Sequence, residues 1–405
     1  MNPDEIRLLD PDFYANDPWP TYAWLRDHAP VHWDAQHKVW GISRFDDVVA
    51  VEKNVARYTS ARGSRPRIDG DPSMINTDDP HHNDRRRIVS PQFTPRAVRR
   101  KEERVRGFVT ELIDAIIERG ECDVVQALAA PLPSMVINEW LGFPQEAWPK
   151  VKWWSEVTMK AGGIHDPETG EMTFDDVEGA MTAVRDFQEM ALEIAAQRRK
   201  EPKDDLISLW VHAEGENGPL TDEEIVSEAL LVQNGGAETT RAVIATTVWN
   251  LIDHPDERQK LVDDPSPESM RVAVEEFIRW VSPVLNMKRT VTETHELHGQ
   301  TLQEGDELLL MYPSANRDPR HFEAADTYDV QRQHNQHVAF GWGTHFCLGA
   351  SVARLEIRLM FEELMKRVPD MQLAPGATPR FMPNCFARSP DAVKVEFTPG
   401  PKSGQ

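Results

Sequence analysis

Three short stretches of this sequence carry residue types whose spacing suits catalysis. The first is Phe340-Gly-Trp-Gly-Thr-His-Phe-Cys347-Leu-Gly-Ala350. Two glycines within three residues suit a tight turn whose backbone passes close to something flat or bulky. Cys347 then falls where a helix-forming run begins, and the N–H groups and positive dipole end of a helix start stabilise a thiolate. Gly349 and Ala350 leave no bulk against the sulfur. A thiolate presented in this way is a strong axial donor to haem iron and favours O–O cleavage. A buried, inert thiol is the alternative reading of the same residues. Zinc wants four ligands, and His345 is the only other donor nearby. Gly341-x-Gly343 lacks the third glycine and the surrounding βαβ unit of a dinucleotide site.

The second stretch is Gly235-Gly-Ala-Glu238-Thr239-Thr240, a polar interruption in the centre of an apolar helical pattern. Each glycine costs about 1 kcal/mol in a helix interior, and local rules broken at one place in a consistent element usually mark function. A hydroxyl beside a carboxylate can relay protons; a threonine bonded back to its own helix is the structural alternative. The third is Glu276-Phe-Ile-Arg279, whose i, i+3 spacing puts carboxylate and guanidinium on one helix face. Taken alone, such pairs are mostly surface ion pairs.

From Phe340 to Gly349 the chain matches F-G-x-G-x-H-x-C-x-G at every defined position. On that run it resembles the cytochrome P-450 superfamily, and the resemblance extends from the N-terminal hairpin to the C-terminal FTPGP. It implies a mainly α fold with small β-sheets, and heme b sandwiched between a long central helix and the helix that follows the cysteine loop. It makes Cys347 the iron ligand, with Phe340, His345 and Gly349 around the haem, and Glu238-Thr239 the catalytic acid–alcohol pair. His82 and Arg86, spaced H-x-x-x-R, join Arg289 and His345 as holders of the haem propionates, anions that need cationic donors in an apolar pocket. His81 is adjacent, so either histidine could face inward. Glu276 and Arg279 become a structural lock beside the haem loop. Many members complete that lock with an Arg or Lys, where this chain has Thr327, so the triad is incomplete or closed by another residue.

The implied reaction inserts one oxygen atom of O2 into a small lipophilic molecule. Electrons come from NAD(P)H through ferredoxin reductase and ferredoxin, since no residues remain for a fused reductase. The blocks GECDVV, PVLNMKR and AFGWGTHFCLG look most similar to bacterial steroid side-chain hydroxylases, with terpenoids and fatty acids as other substrates. Lys288 is the candidate cation for a fatty-acid head. The resemblance points to Leu231, Asn234, Gly235, Val284 and Leu285 as substrate contacts, and to 153–182 as a mobile lid. Asn234 shares a helix face with Glu238. Its amide costs about 1–3 kcal/mol if left unpaired, so a substrate group, a water or a helix carbonyl should meet it. A peroxide-driven enzyme would usually lack the acid–alcohol pair. A haem-based sensor would need neither proton relay nor electron docking face.

The elements that must position these residues are legible in the pattern. VHWD and VWGIS, at 31–34 and 39–43, read as a β-hairpin. Helical periodicity covers 95–119, 175–200 and 221–254, the last opened by a Thr221–Glu224 capping box and stopped by Pro255. A helix capped by Ser266-Pro267 ends before Ser282-Pro283, short strands follow through 295–312, and a final helix spans 348–368. No repeat or linker divides the 405 residues, which read as one domain and a monomer. Three scattered cysteines argue against a disulfide framework. Together with a polar N-terminus and no long apolar run, this points to the cytoplasm without a membrane anchor. A net charge of −22 excludes nucleic acid as a partner. Against that background, residues 85–106 hold nine basic residues and two acidic ones. This island, with Arg99, Arg100 and Lys101 at its centre, is where the resemblance places docking of an acidic ferredoxin.

Overall fold

The structure, a computed structural model, describes residues 2–68, 70–161, 163, 165–173, 176–214 and 219–404, with side chains at all of these but 159 and 161. Helices dominate, and one of them organises the rest. Asp222–Asp253 is a single helix of 32 residues, about 48 Å long at 1.5 Å per residue. Its capping box forms as the sequence requires: Thr221 accepts from the Glu224 amide, and the Glu224 carboxylate accepts from the Thr221 amide. Helices Pro131–Leu141, Trp148–Ala161, Val177–Arg198, Pro267–Val281 and Ala350–Arg367 all pack against it. The largest apolar core cluster forms between them. Among the described residues no helix is long and apolar enough to cross a membrane.

The expected helix over 95–119 is two helices, Pro95–Arg100 and Glu102–Asp114, with Lys101 between them at φ −97° and ψ 0°. Thr94 caps the first by accepting from the Ala97 amide, and both pieces keep an apolar face buried. The hairpin Val31–Asp34 and Val39–Ile42 pairs antiparallel, as its alternation predicts. It continues into a five-stranded sheet through Glu307–Leu310, then Met287–Val291, then Tyr58–Thr59. In Met287–Val291 successive side chains point to opposite faces, so Met287 and Arg289 face the central cavity while Lys288 faces Glu307.

The stretch from 316 to 340 has almost no regular structure, and a buried charge pair holds it in place. Glu276 and Arg279 are completely buried on the helix Pro267–Val281. Arg279 binds both Glu276 oxygens, at 2.7 and 2.8 Å, and donates to the carbonyls of Asn316, Ala325 and Thr327 at 2.7, 2.9 and 3.3 Å. Glu276 also accepts from the Asp329 amide, from Asn335 and from Arg332. The third member of the lock is therefore Arg332, 3.1 Å from Glu276, and Thr327 contributes only its carbonyl. Removing one partner of a buried pair strands the other charge at a cost of about 3–5 kcal/mol. Arg279→Leu should lose about that much stability in urea denaturation, and Arg332→Ala roughly 1–3 kcal/mol. Thr327→Val, exposed and bonded through its backbone alone, should change stability by less than about 0.5 kcal/mol.

Candidate active site

The Cys347 loop is shaped by the helix Phe45–Lys53. Gly341 and Gly343 adopt φ +68° and +69°, which glycine takes without strain. A Cβ on Gly343 would lie 2.8 Å from the Glu52 carbonyl oxygen, and one on Gly341 would lie 3.2 Å from the Glu52 carboxylate. Both glycines thus let the loop close against that helix. The Cys347 amide donates to the Phe340 carbonyl at 2.8 Å, and Gly349 caps the helix Ala350–Arg367. The helix start does favour a thiolate here, through the Gly349 and Ala350 amides and the Arg86 and Arg354 guanidiniums, but burial outweighs them and pushes the thiol pKa up. Burial also pushes the Cys122 thiol up, to about 12, and raises that of Cys385, and neither has such opposing amides.

Cys347 opens onto a cavity of about 380 Å³ whose walls include His82, Arg86, Arg289, Phe340, His345 and Gly349. His82 is the inward histidine: it is buried and 4.1 Å ring to ring from His345, while His81 is exposed. Arg86 donates to the Phe346 carbonyl at 2.5 Å, and Arg289 is buried with one bond to the Lys288 carbonyl. His345 Nε2 is buried and meets no partner among the described residues. Burial, then Arg289, His82 and Arg86, hold its pKa down to about 2. A buried ring nitrogen among guanidiniums suits an anionic edge, and a sulfur on a bare wall suits a metal-bearing face, so the residues present fit a haem.

Another part of the wall is the middle of the central helix. A Cβ on Gly236 would come within 2.4 Å of Ile137 Cδ1, so that glycine lets the helix Pro131–Leu141 approach without shifting Ile137, whereas one on Gly235 would meet nothing within 4 Å. Thr239 lines the cavity and donates its hydroxyl hydrogen to the Gly235 carbonyl at 2.7 Å. Glu238 does not line it. Its carboxylate is buried on the adjoining face, 2.5 Å from Arg241 and 3.4 Å from Ser155 Oγ. Burial raises its pKa against the pull of Arg241. Asn234 does line the cavity, and its amide meets Thr158 on the helix Trp148–Ala161, a partner that sequence spacing could not supply.

Leu231, Gly235 and Val284 are also on the wall. Leu285 is not. Val284 bridges to Ala387, so its neighbour in the extended chain turns the other way, into a separate apolar cluster with Leu8, Leu9 and Tyr14. Lys288 lies outside the cavity too, bonded to Glu307 and the Arg62 carbonyl, which removes it as a cation for a fatty-acid head. In the expected lid, Gly162 lies outside the described residues. The Gly163 carbonyl accepts from the Cys385 amide, the Pro167 carbonyl meets His37 Nε2 at 2.9 Å, and Met181 faces outward.

Three wall residues carried no signal in the sequence. Glu52, on the helix Phe45–Lys53, is buried beside Tyr312 and Arg289 with its pKa raised to about 7 by that burial. Glu356 is buried with one oxygen unpartnered among the described residues, and burial pushes its pKa well up. Arg65, on an irregular loop, stacks over Phe386.

The basic island is smaller than its sequence count. Arg85 pairs with Glu224 and Glu228, Arg87 with Asp84, Arg104 with Glu139, and Arg106 with Glu102, Glu362 and Glu363. Lys101 lies over the Trp140 ring. Arg96, Arg99 and Arg100 remain exposed, with no carboxylate partner among the described residues, on a short helix that packs against the cysteine helix.

Comparison with known proteins agrees with this geometry. The cytochrome P450 family model matches residues 268–397. The chain is 38% identical to a steroid C26-monooxygenase of Mycolicibacterium smegmatis over 98% of its own length and 96% of that protein. It is 37% identical to a steroid C26-monooxygenase of Mycobacterium tuberculosis over 99% of both. Among solved structures, Bacillus megaterium CYP109E1 in complex with testosterone superposes with a TM-score of 0.86 at 31% identity, covering 96% of this chain and 99% of that one. Mycobacterium marinum CYP268A2 in complex with pseudoionone gives 0.87 at 28% identity, covering 96% and 97%. The chain belongs to the cytochrome P450 family, and it is a haem b monooxygenase with the mainly helical fold of that family.

Proposed function

We propose that this monooxygenase hydroxylates a steroid or sterol side chain, with Cys347 as the iron ligand. The observation that carries the reading is one cavity whose walls combine the Cys347 loop, the anion-seeking group His82, Arg86, Arg289 and His345, and the Gly235–Thr239 stretch. The steroid C26-monooxygenase relatives and the testosterone-bound neighbour support the substrate class. Haem b in this site supplies the redox centre at which dioxygen is reduced and one oxygen atom is delivered to substrate.

The chain's own residues then have distinct tasks. Arg86, Arg289, His82 and His345 hold the propionates, and Phe340 and Gly349 flank the sulfur. Leu231, Gly235 and Val284 bound the substrate, with Asn234 among them. Thr239 has already given its hydrogen to Gly235, so toward the cavity its oxygen is an acceptor that fixes a proton donor in place. Glu238, next to it in the chain and paired with Arg241, is the acid of the relay and must leave Arg241 to exchange protons with the cavity. Ferredoxin, reduced by its reductase, docks on Arg99 and Arg100, with Arg96 and Lys101 beside them.

The reduced, carbon-monoxide-bound protein should show the red-shifted Soret band of thiolate ligation. Cys347→Ser should abolish it, and Cys122→Ser and Cys385→Ser should leave it intact. A normal band in the Cys347 variant rules out the ligand assignment.

Thr239→Ala should bind substrate as before but divert most reducing equivalents to peroxide. Product formed per NAD(P)H consumed is the measurement, and unchanged coupling would show that protons enter by another route.

Charge reversal at Arg99 and Arg100 should lower ferredoxin-driven turnover and flatten its salt dependence, because surface attraction is screened within about 10 Å at 0.1 M salt. Substrate affinity should stay constant. A change in substrate affinity alone would remove this face as the docking site.

A further inference from the structure

The orientation of the Asn234 amide follows from counting hydrogens. Thr158 Oγ1 lies 2.7 Å from the Trp154 carbonyl oxygen and 2.7 Å from the end of the Asn234 side-chain amide assigned as Oδ1. The Ser155 carbonyl, at 3.4 Å, is too distant to compete. A hydroxyl owns one hydrogen. The Trp154 carbonyl owns none, so that hydrogen lies between Thr158 and Trp154, the return of a helical threonine to the carbonyl four residues back. Placed otherwise, two bare oxygens would face each other at 2.7 Å. With Asn234 Oδ1 toward Thr158, the second contact would need a second hydrogen that the hydroxyl does not have. The count is met when the two ends of the amide are exchanged from that assignment, so that its NH2 faces Thr158 and donates to it. Exchanging the two ends of an amide alters no shape, so the hydrogen-bond network decides the matter.

This turns Asn234 Oδ1 toward the cavity that it lines together with Gly235, Thr239 and Cys347. Thr239 makes the same kind of commitment, its hydrogen going to the Gly235 carbonyl at 2.7 Å. Two neighbouring polar side chains on this wall thus both present oxygen acceptors. An apolar or carbonyl-bearing ligand would cover them without a hydrogen bond, which is costly for a buried acceptor, whereas a hydroxyl would satisfy one.

We propose that Asn234 is a specificity-determining residue, oriented by Thr158, that presents a carbonyl acceptor and selects substrates carrying a hydroxyl near the carbon to be oxidised. The inference rests on the reading of this cavity as the substrate chamber of a haem-thiolate monooxygenase. Under the steroid reading it calls for a side chain that already carries a hydroxyl close to the carbon to be oxidised, rather than an unmodified alkyl chain.

The test uses the ferric holoprotein and three ligands of one skeleton, decalin, 2-decalol and 2-decalone, titrated by their effect on the Soret spectrum. The wild type should bind the alcohol about tenfold more tightly than the ketone, the scale of one hydrogen bond. Asn234→Leu should bring alcohol and ketone to parity. Thr158→Val, which frees the amide to turn either end inward, should reduce the preference without touching the cavity wall. A ketone preference in the wild type, or an alcohol preference that survives Asn234→Leu, overturns the assignment. So does a lack of response to all three ligands while the carbon-monoxide-bound thiolate band is intact. A missing thiolate band in the wild type instead overturns the haem-thiolate reading beneath it.

Discussion

Glu276 is a carboxylate with no contact with water, and much of the catalytic half of the molecule is arranged around keeping it paired. A buried charge is tolerable only when paired and hydrogen-bonded. Here two guanidiniums, an amide side chain and a backbone N–H converge on it. Three of these donors, from Asp329, Arg332 and Asn335, come from the irregular chain, and Arg279, on the helix, passes the constraint on to the carbonyls of Asn316, Ala325 and Thr327. A segment with few ladder bonds of its own is thereby fixed immediately before the loop that carries Cys347. That loop then needs only Gly341 and Gly343, pressed against the Phe45–Lys53 helix, to hold the sulfur at the cavity wall.

The electrostatics of the cavity divide it into two regions with opposite demands. Around His345 lie guanidiniums and a neutralised imidazole, a setting that favours anions. Around the central helix, by contrast, the carboxylate of Glu238 is withdrawn into a pair with Arg241, and the polar atoms left at the wall are neutral. Burial dominates both regions: it raises the acids Glu52, Glu238 and Glu356 and the Cys347 thiol alike. The dipole of the cysteine helix is a correction to that effect. A bound metal cation, which prefers the thiolate, is the kind of partner that reverses it.

Hydroxyl hydrogens have a similar limiting role on a smaller scale. Thr239 and Thr158 each have one to give, and each gives it to a helix carbonyl four residues earlier. The consequence is that threonines near the cavity act outwardly as acceptors. In the proton chemistry proposed for Thr239 this makes the side chain a holder of donors, which fits a relay whose acid, Glu238, stands apart from it.

The sequence by itself determined the elements and the chemistry-bearing loop. The capping box, Ser266-Pro267 and the paired glycines act within a few residues, and local interactions of that kind survive in any context that permits the helix or turn. The F-G-x-G-x-H-x-C-x-G run was legible for the same reason: its spacing is set by one turn and one helix start. Only the tertiary structure decided what depends on residues far apart in the chain. It supplied Arg332 where Thr327 has no charge to offer, and Thr158 as the partner of Asn234. It turned Leu285 and Lys288 away from the cavity, spent four of the nine basic residues on ion pairs, and buried the carboxylates of Glu52 and Glu356. Periodicity tells which face of an element is apolar, but which neighbour meets that face, and which charge finds a partner, is settled by packing between elements brought together over tens to hundreds of residues.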